Sequence, residues 1–187
     1  MDINLTPILL KNMAGWPRTR GRYSPSEIYF LLNGSTTPEQ WLNKKERTVE
    51  EILKMWAGIG VHNQLEALLG PANSEIKKVY EYKDIVIAGK ADYLPPNYKD
   101  EVWEFKTSTE TMKQSKPWHD HQVKLYCTMF EKSIGRVYQP VQDKDGIYLR
   151  NIGTVERDDV WFEKEMEKLH DFHIDVERFA TGADKAF

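Results

Sequence analysis

The sequence predicts a mixed α/β fold in which helices cover a central sheet, and three features carry that prediction. Apolar residues recur at helical spacing over 48–69 and again over 158–179. The period changes to two over 76–82, 85–94 and 101–108, and once more over 136–142 and 146–156. Strand runs lie between helical runs, so helices are at hand to bury the sheet. The 187 residues fit one domain spanning 1–187. A hydrophobic share of 40% and a charged share of 29% mark a globular chain with a proper core.

Residues 1–25 read as irregular, because Pro7, Gly15, Pro17, Gly21 and Pro25 interrupt every period. The segment is basic, with Lys11, Arg18, Arg20 and Arg22. Ser24-Pro25-Ser26-Glu27 opens a short helix that runs to Leu32. Ser24 is the N-cap, Pro25 takes the first helical position, and Glu27 stands three residues after the cap. Thr37-Pro38-Glu39 starts a second helix with Trp41 and Leu42 as its apolar residues. The third helix, 48–69, carries Val49, Ile52, Leu53, Trp56, Ile59 and Leu65, and Gly58 and Gly60 predict a kink or break in it. Gly70-Pro71 stops it.

Strands 76–82 and 85–94 turn at Lys83-Asp84, and 101–108 forms the next strand after a Pro95-Pro96-Asn97 loop. Residues 109–117 are polar and read as a mobile link to a helix over 118–132. A hairpin over 136–142 and 146–156 follows. The last helix carries Phe162, Met166, Leu169, Phe172, Val176 and Phe179 on one stripe. Residues 181–187 read as a frayed tail.

The net charge of −3 argues against a uniformly basic nucleic-acid coat, while leaving room for a local basic groove. No apolar stretch reaches bilayer length, and no partner in a membrane is expected. The first residues lack the basic start of a secretory signal. The single cysteine, Cys127, rules out an internal disulfide and a four-cysteine zinc or iron–sulfur site. A reducing, cytoplasmic location is the expectation.

Three segments place charge where a plain core would not. They are Gly89-Lys-Ala-Asp92, Glu104-Phe-Lys106 and Gln122-Val-Lys-Leu-Tyr126. Residues two apart on a strand share a face. Glu104 and Lys106 therefore lie together, and Trp103 and Phe105 turn the other way, toward the core. If the second and third strands pair, Asp92 lies beside Glu104. Two close carboxylates repel unless a cation sits between them, and oxygen donors of this kind suit Mg²⁺ or Mn²⁺. Such an ion lowers the pKa of a water and polarises a phosphoryl oxygen. Lys106 would orient the attack or stabilise developing negative charge. His62 stands on the preceding helix, one turn before Glu66, and its imidazole would favour Mn²⁺. Gln122 and Tyr126, four apart on one helix face, would hydrogen-bond a phosphate or orient Lys106. Glu66 reads as a helix-face acid. His119-Asp-His121 makes no zinc site, since the two rings diverge on a helix. Arg18, Arg20, Arg22, Lys113, Lys116 and Lys124 are candidates for gripping DNA phosphates.

The order His62, Gly89-Lys-Ala-Asp92, Glu104-Phe-Lys106, Gln122-x-x-x-Tyr126 resembles the RecB-like branch of the PD-(D/E)XK nuclease superfamily. Within it the chain most resembles the CRISPR-associated RecB-type exonucleases and the cluster-free phage and mitochondrial genome-maintenance exonucleases, over roughly residues 24–150. The resemblance implies a restriction-endonuclease-like core. It implies that His62, Asp92, Glu104 and the main-chain carbonyl of Phe105 hold Mg²⁺ or Mn²⁺. Lys106 would be the catalytic lysine, and Gln122 and Tyr126 would shape the site. It implies a metal-dependent deoxyribonuclease, most of all an exonuclease. Separately, the polar 109–117 segment and the basic 11–22 segment would cover the site from two sides, and such a narrow passage would favour DNA that is single-stranded or has single-stranded ends. Many CRISPR-associated members hold an iron–sulfur cluster on four cysteines. This chain has one cysteine, so no cluster is expected and the cluster-free exonucleases are the nearer match. The alternatives are a non-catalytic nucleic-acid clamp or assembly subunit of the same fold, and an endonuclease or RNase using the same residues.

Overall fold

The computed structural model describes residues 18–43, 47–108 and 110–182. Lys11 and residues 183–187 of the expected tail lie outside the described residues. The elements are β1 (Arg22–Tyr23), α1 (Pro25–Leu32), α2 (Pro38–Leu42), α3 (Val49–Leu69), a 3₁₀ turn (Pro71–Asn73), β2 (Ser74–Tyr82) and β3 (Ile85–Tyr93). They continue with β4 (Glu101–Phe105), α4 (Pro117–Met129), β5 (Ile134–Asp143), β6 (Gly146–Glu156) and α5 (Asp159–Thr181).

The basic segment is not irregular throughout. Arg22 and Tyr23 run parallel to β3, opposite Val86 and Ile87. Two residues carry no period, and tertiary contacts hold them. Tyr23 is buried, its ring centroid 5.0 Å from that of Trp41, and its hydroxyl meets His173 Nδ1 at 3.0 Å. Arg18 pairs with Glu27 and Arg20 with Glu177.

Helix α3 is continuous over 21 residues. Thr48 and Glu51 cap it reciprocally, at 3.2 and 2.8 Å. Gly58 serves close approach and does not break the helix, since a Cβ there would stand 3.2 Å from Thr107 Oγ1.

The sheet is mixed. β2 pairs antiparallel along the length of one edge of β3. The other edge is shared: β1 takes Val86 and Ile87, and β4 takes only Tyr93, opposite Trp103. β4 then pairs parallel with β5 from Glu101–Ile134 to Phe105–Tyr138. Helix α4 makes that crossover, and β5 and β6 form the hairpin. The third strand ends at Phe105, short of the expected Ser108, although Lys106 N–H still donates to Tyr138 O at 2.8 Å.

Two apolar clusters cover the sheet. The larger joins Ile28, Leu31, Trp41, Ile85, Ile87, Ala91, Val102 and Val123 to the α5 stripe of Phe162, Met166, Leu169 and Val176. Phe179, expected on that stripe, is 37% exposed. The smaller holds Leu65 of α3 against Tyr93 and Phe105, with Trp103 and Tyr138 at its margin. Ala91 and Tyr93 are two apart yet fall in different clusters. Ala91, Asp92 and Tyr93 are buried in succession, so the alternation of β3 between a buried and an open position is lost at Asp92.

The link to α4 is tied down where a mobile segment was expected. Gln139, buried in β5, accepts from Met112 N–H at 2.8 Å and donates to Glu110 O at 2.8 Å. Ser115 N–H donates to Ile152 O at 2.7 Å.

Candidate active site

The break in β3 puts Asp92 at a fork. Beyond the Tyr93–Trp103 pair the strands part, and Asp92 Oδ2 accepts the Phe105 N–H at 2.6 Å. A carboxylate thus replaces the missing ladder acceptor. From α3, His62 Nδ1 reaches Asp92 Oδ1 at 3.3 Å. The aspartate holds the imidazole above its ordinary titration range, against the opposing effect of burial.

Glu104 is 4% exposed. Its Oε1 accepts from Lys106 Nζ at 2.7 Å and from Gln122 Nε2 at 2.8 Å. Gln122 Oε1 accepts from Lys106 Nζ at 2.9 Å, closing a triangle. Glu104 Oε2 is buried and has no hydrogen-bond partner among the described residues. Burial first, and Asp92 second, push this carboxyl well above the usual carboxylate range.

Tyr126 donates to the Lys90 carbonyl at 3.0 Å and accepts from Gln122 Nε2 at 3.3 Å. Burial, then Glu104, raise its phenol pKa. The approach depends on Gly89, where a Cβ would stand 2.6 Å from Tyr126 Cε1 and 2.9 Å from Pro25 Cγ. His119, one turn before Gln122, is pushed down to about 4 by burial and by Lys106 and Lys116.

The fold thus brings His62, Asp92, Glu104, Lys106, Gln122 and Tyr126 to one place. The Glu104 oxygen, without a partner among the described residues, suits a cation, and the imidazole and carboxylate donors beside it are of the kind that hold a divalent metal. One acid at this place was not anticipated. Glu75, the second residue of β2, has φ 55°, and a ligand atom from each of His62, Glu75 and Asp92 lies within 4.8 Å of the others. A lone glutamate at a strand start looks like surface charge, and nothing local in the sequence marks it.

The expected phosphate-gripping cations do not form one patch. Arg18 and Arg20 are engaged by acids. Lys124 turns away from the Gln122 face, pairs with Asp158 at 3.2 Å and stands 4.5 Å over the Trp161 ring. Lys116 lies over the Trp118 ring at 5.5 Å, and Lys113 is exposed. Arg22 instead joins Lys77, Lys78, Lys90, Ser26 and Tyr126 around a cleft of about 370 Å³, where Lys78 pairs with Glu131 at 3.9 Å and Lys90 with Glu75. Among the described residues no helix is long and apolar enough to cross a membrane.

No protein-family model and no curated protein matches the chain. Solved structures do. SSO0001 is 20% identical with a TM-score of 0.59, over 91% of this chain and 86% of that one. The alkaline exonuclease LHK-Exo from Laribacter hongkongensis is 13% identical at a TM-score of 0.57, over 97% of this chain and 100% of that one. A phage-related exonuclease from Haemophilus somnus 129PT is 11% identical at 0.51, over 87% and 96%. The chain has the fold of these exonucleases. It is the helix-flanked mixed sheet that the RecB-like resemblance implied, and it spans nearly their whole length.

Proposed function

We propose that the chain is a divalent-metal-dependent DNA nuclease, an exonuclease acting on DNA with single-stranded ends. The observation that carries this reading is Glu104: buried within electrostatic reach of Asp92, with one oxygen held by Lys106 and Gln122 and the other without a partner among the described residues. An exonuclease fold around it agrees with the reading. His62, Asp92 and Glu104, with the Phe105 carbonyl, are the residues that would hold Mg²⁺ or Mn²⁺. Such an ion supplies Lewis acidity toward a water and a phosphoryl oxygen.

The chain's own groups do the rest. Lys106 presents its ammonium from a fixed position, held by Glu104 and Gln122, to negative charge that develops on the phosphoryl group. Gln122 is a positioning residue that keeps lysine and carboxylate in register. Arg22, Lys77, Lys78 and Lys90 line an approach for backbone phosphates. A retired clamp would have little reason to keep these charges buried.

The test uses end-labelled linear single strands, linear duplex and covalently closed single-stranded circles, each with Mn²⁺, Mg²⁺ or EDTA. Short products from linear single strands, salt-sensitive and abolished by EDTA, are expected. Equal cleavage of circles and linear strands would replace the exonuclease by an endonuclease. No cleavage with either metal would contradict the nuclease reading.

A further inference from the structure

We propose that Glu75 is an additional ligand of the divalent ion, and that Lys90 is the counter-ion that holds it otherwise. This rests on the metal-dependent reading above and extends it beyond His62, Asp92 and Glu104.

The geometry comes first. The donor atoms of His62, Glu75 and Asp92 all lie within 4.8 Å of one another. An imidazole and two carboxylates form a donor set suited to Mn²⁺. The Glu75 side chain is 27% exposed, so solvent reaches it without dispersing its charge into open water.

The backbone explains how the glutamate gets there. Ser74 pairs with Tyr93 and Ile76 with Ala91, so Glu75 stands across from Asp92 at the point where the alternation of β3 breaks. Its φ of 55° is a conformation that non-glycine residues seldom adopt, and it leaves the regular course of β2. Glu104 stands outside that trio but interacts electrostatically with both Asp92 and His62, and its Oε2 is buried with no hydrogen-bond partner among the described residues.

Lys90 supplies the second half. It forms an ion pair with Glu75, and it also lines the cationic cleft with Arg22, Lys77 and Lys78. A divalent ion that takes Glu75 competes with Lys90 for the same carboxylate. It leaves Lys90 available to an anion in the cleft. Metal and phosphate binding are then coupled, each tightening the other.

The test is a Mn²⁺ titration of the full-length chain without DNA. It is followed by calorimetry and by the paramagnetic resonance of free Mn²⁺, with circular dichroism to confirm folding. Glu75→Gln should weaken Mn²⁺ by roughly tenfold or more. Lys90→Gln should tighten it, because a competitor for Glu75 is gone. A Glu75→Cys variant separates ligation from mere charge. A thiolate at 75 bound to Cd²⁺ should show a sulfur-to-metal charge-transfer band that the wild type lacks. A folded Glu75→Cys chain that binds Cd²⁺ without the band overturns the proposal, as does Glu75→Gln with unchanged Mn²⁺ affinity. In both of those cases a wild type that binds Mn²⁺ leaves the metal-dependent reading intact. A wild type that takes up no Mn²⁺ overturns both.

Discussion

Asp92 Oδ2 accepts the Phe105 N–H at 2.6 Å, across the gap where β3 and β4 have stopped pairing. The same carboxylate meets His62 from the opposite side. One residue therefore closes the fork of the sheet and forms the centre of the proposed site. The two duties can be separated. Asp92→Asn retains an oxygen for Phe105 and should keep the fold, while losing metal affinity. Asp92→Ala leaves a buried N–H unpaired and should cost about 1–3 kcal/mol more in urea denaturation. Equal stability of the two variants would remove the structural half of this assignment.

Lys106→Ala should leave metal and DNA binding largely intact and lower turnover about 10²–10³-fold. The ammonium is assigned to charge present only in the transition state, so the loss should fall on kcat and spare KM. Single-turnover kinetics beside a DNA-binding isotherm would show the split. A matched loss of DNA affinity would make Lys106 a phosphate anchor.

Glu104 is held at a cost, because its charge is buried near a second carboxylate. In chelator, Glu104→Gln keeps an oxygen for Lys106 and Gln122, and it should be more stable than the wild type by on the order of 1 kcal/mol because the folded chain holds the Glu104 carboxyl well above its unfolded value. With Mn²⁺ present the order should reverse, since only the wild type gains from binding. Thermal melts in EDTA and in Mn²⁺ test both halves.

Away from the site, Arg136 grips Glu101 with Nε and Nη2, each at 2.8 Å, and Trp103 adds a third donor at 2.7 Å. The arginine holds the Glu101 carboxyl below the usual carboxylate range. A folded-state pKa below the unfolded value of about 4.3 means the native chain binds fewer protons there. The pair's stabilisation is thus full above that value and fades as pH falls through the folded one. Arg136→Met should cost about 1–3 kcal/mol near neutral pH, because the pair is only partly buried, and flatten the acid limb of the stability curve. An unchanged acid limb would show that other carboxylates set it.

The residues of the site were legible because chemistry set their spacing. Glu104 and Lys106 had to share a strand face, Gln122 and Tyr126 a helix face, and the fold brings both pairs together. What stayed hidden depends on neighbours distant in sequence. Tyr23 belongs to a strand because Trp41 and His173 enclose it. The link after β4 is fixed by Gln139, which looks like any polar residue of an alternating strand. Glu75 comes opposite Asp92 through the register of β2 on β3, a relation that no local pattern shows. Helix α3 runs unbroken through Gly58, whose missing Cβ leaves room for Thr107.

The most direct measurement is release of label from end-labelled linear single-stranded DNA by full-length protein stripped with chelator and then given Mn²⁺. Wild type should be silent after stripping and regain cleavage on Mn²⁺ addition, and Asp92→Asn should stay silent in both conditions. Cleavage that survives chelation, or an Asp92→Asn variant that regains it with wild-type rate, would contradict a metal-dependent nuclease centred on Asp92 and Glu104.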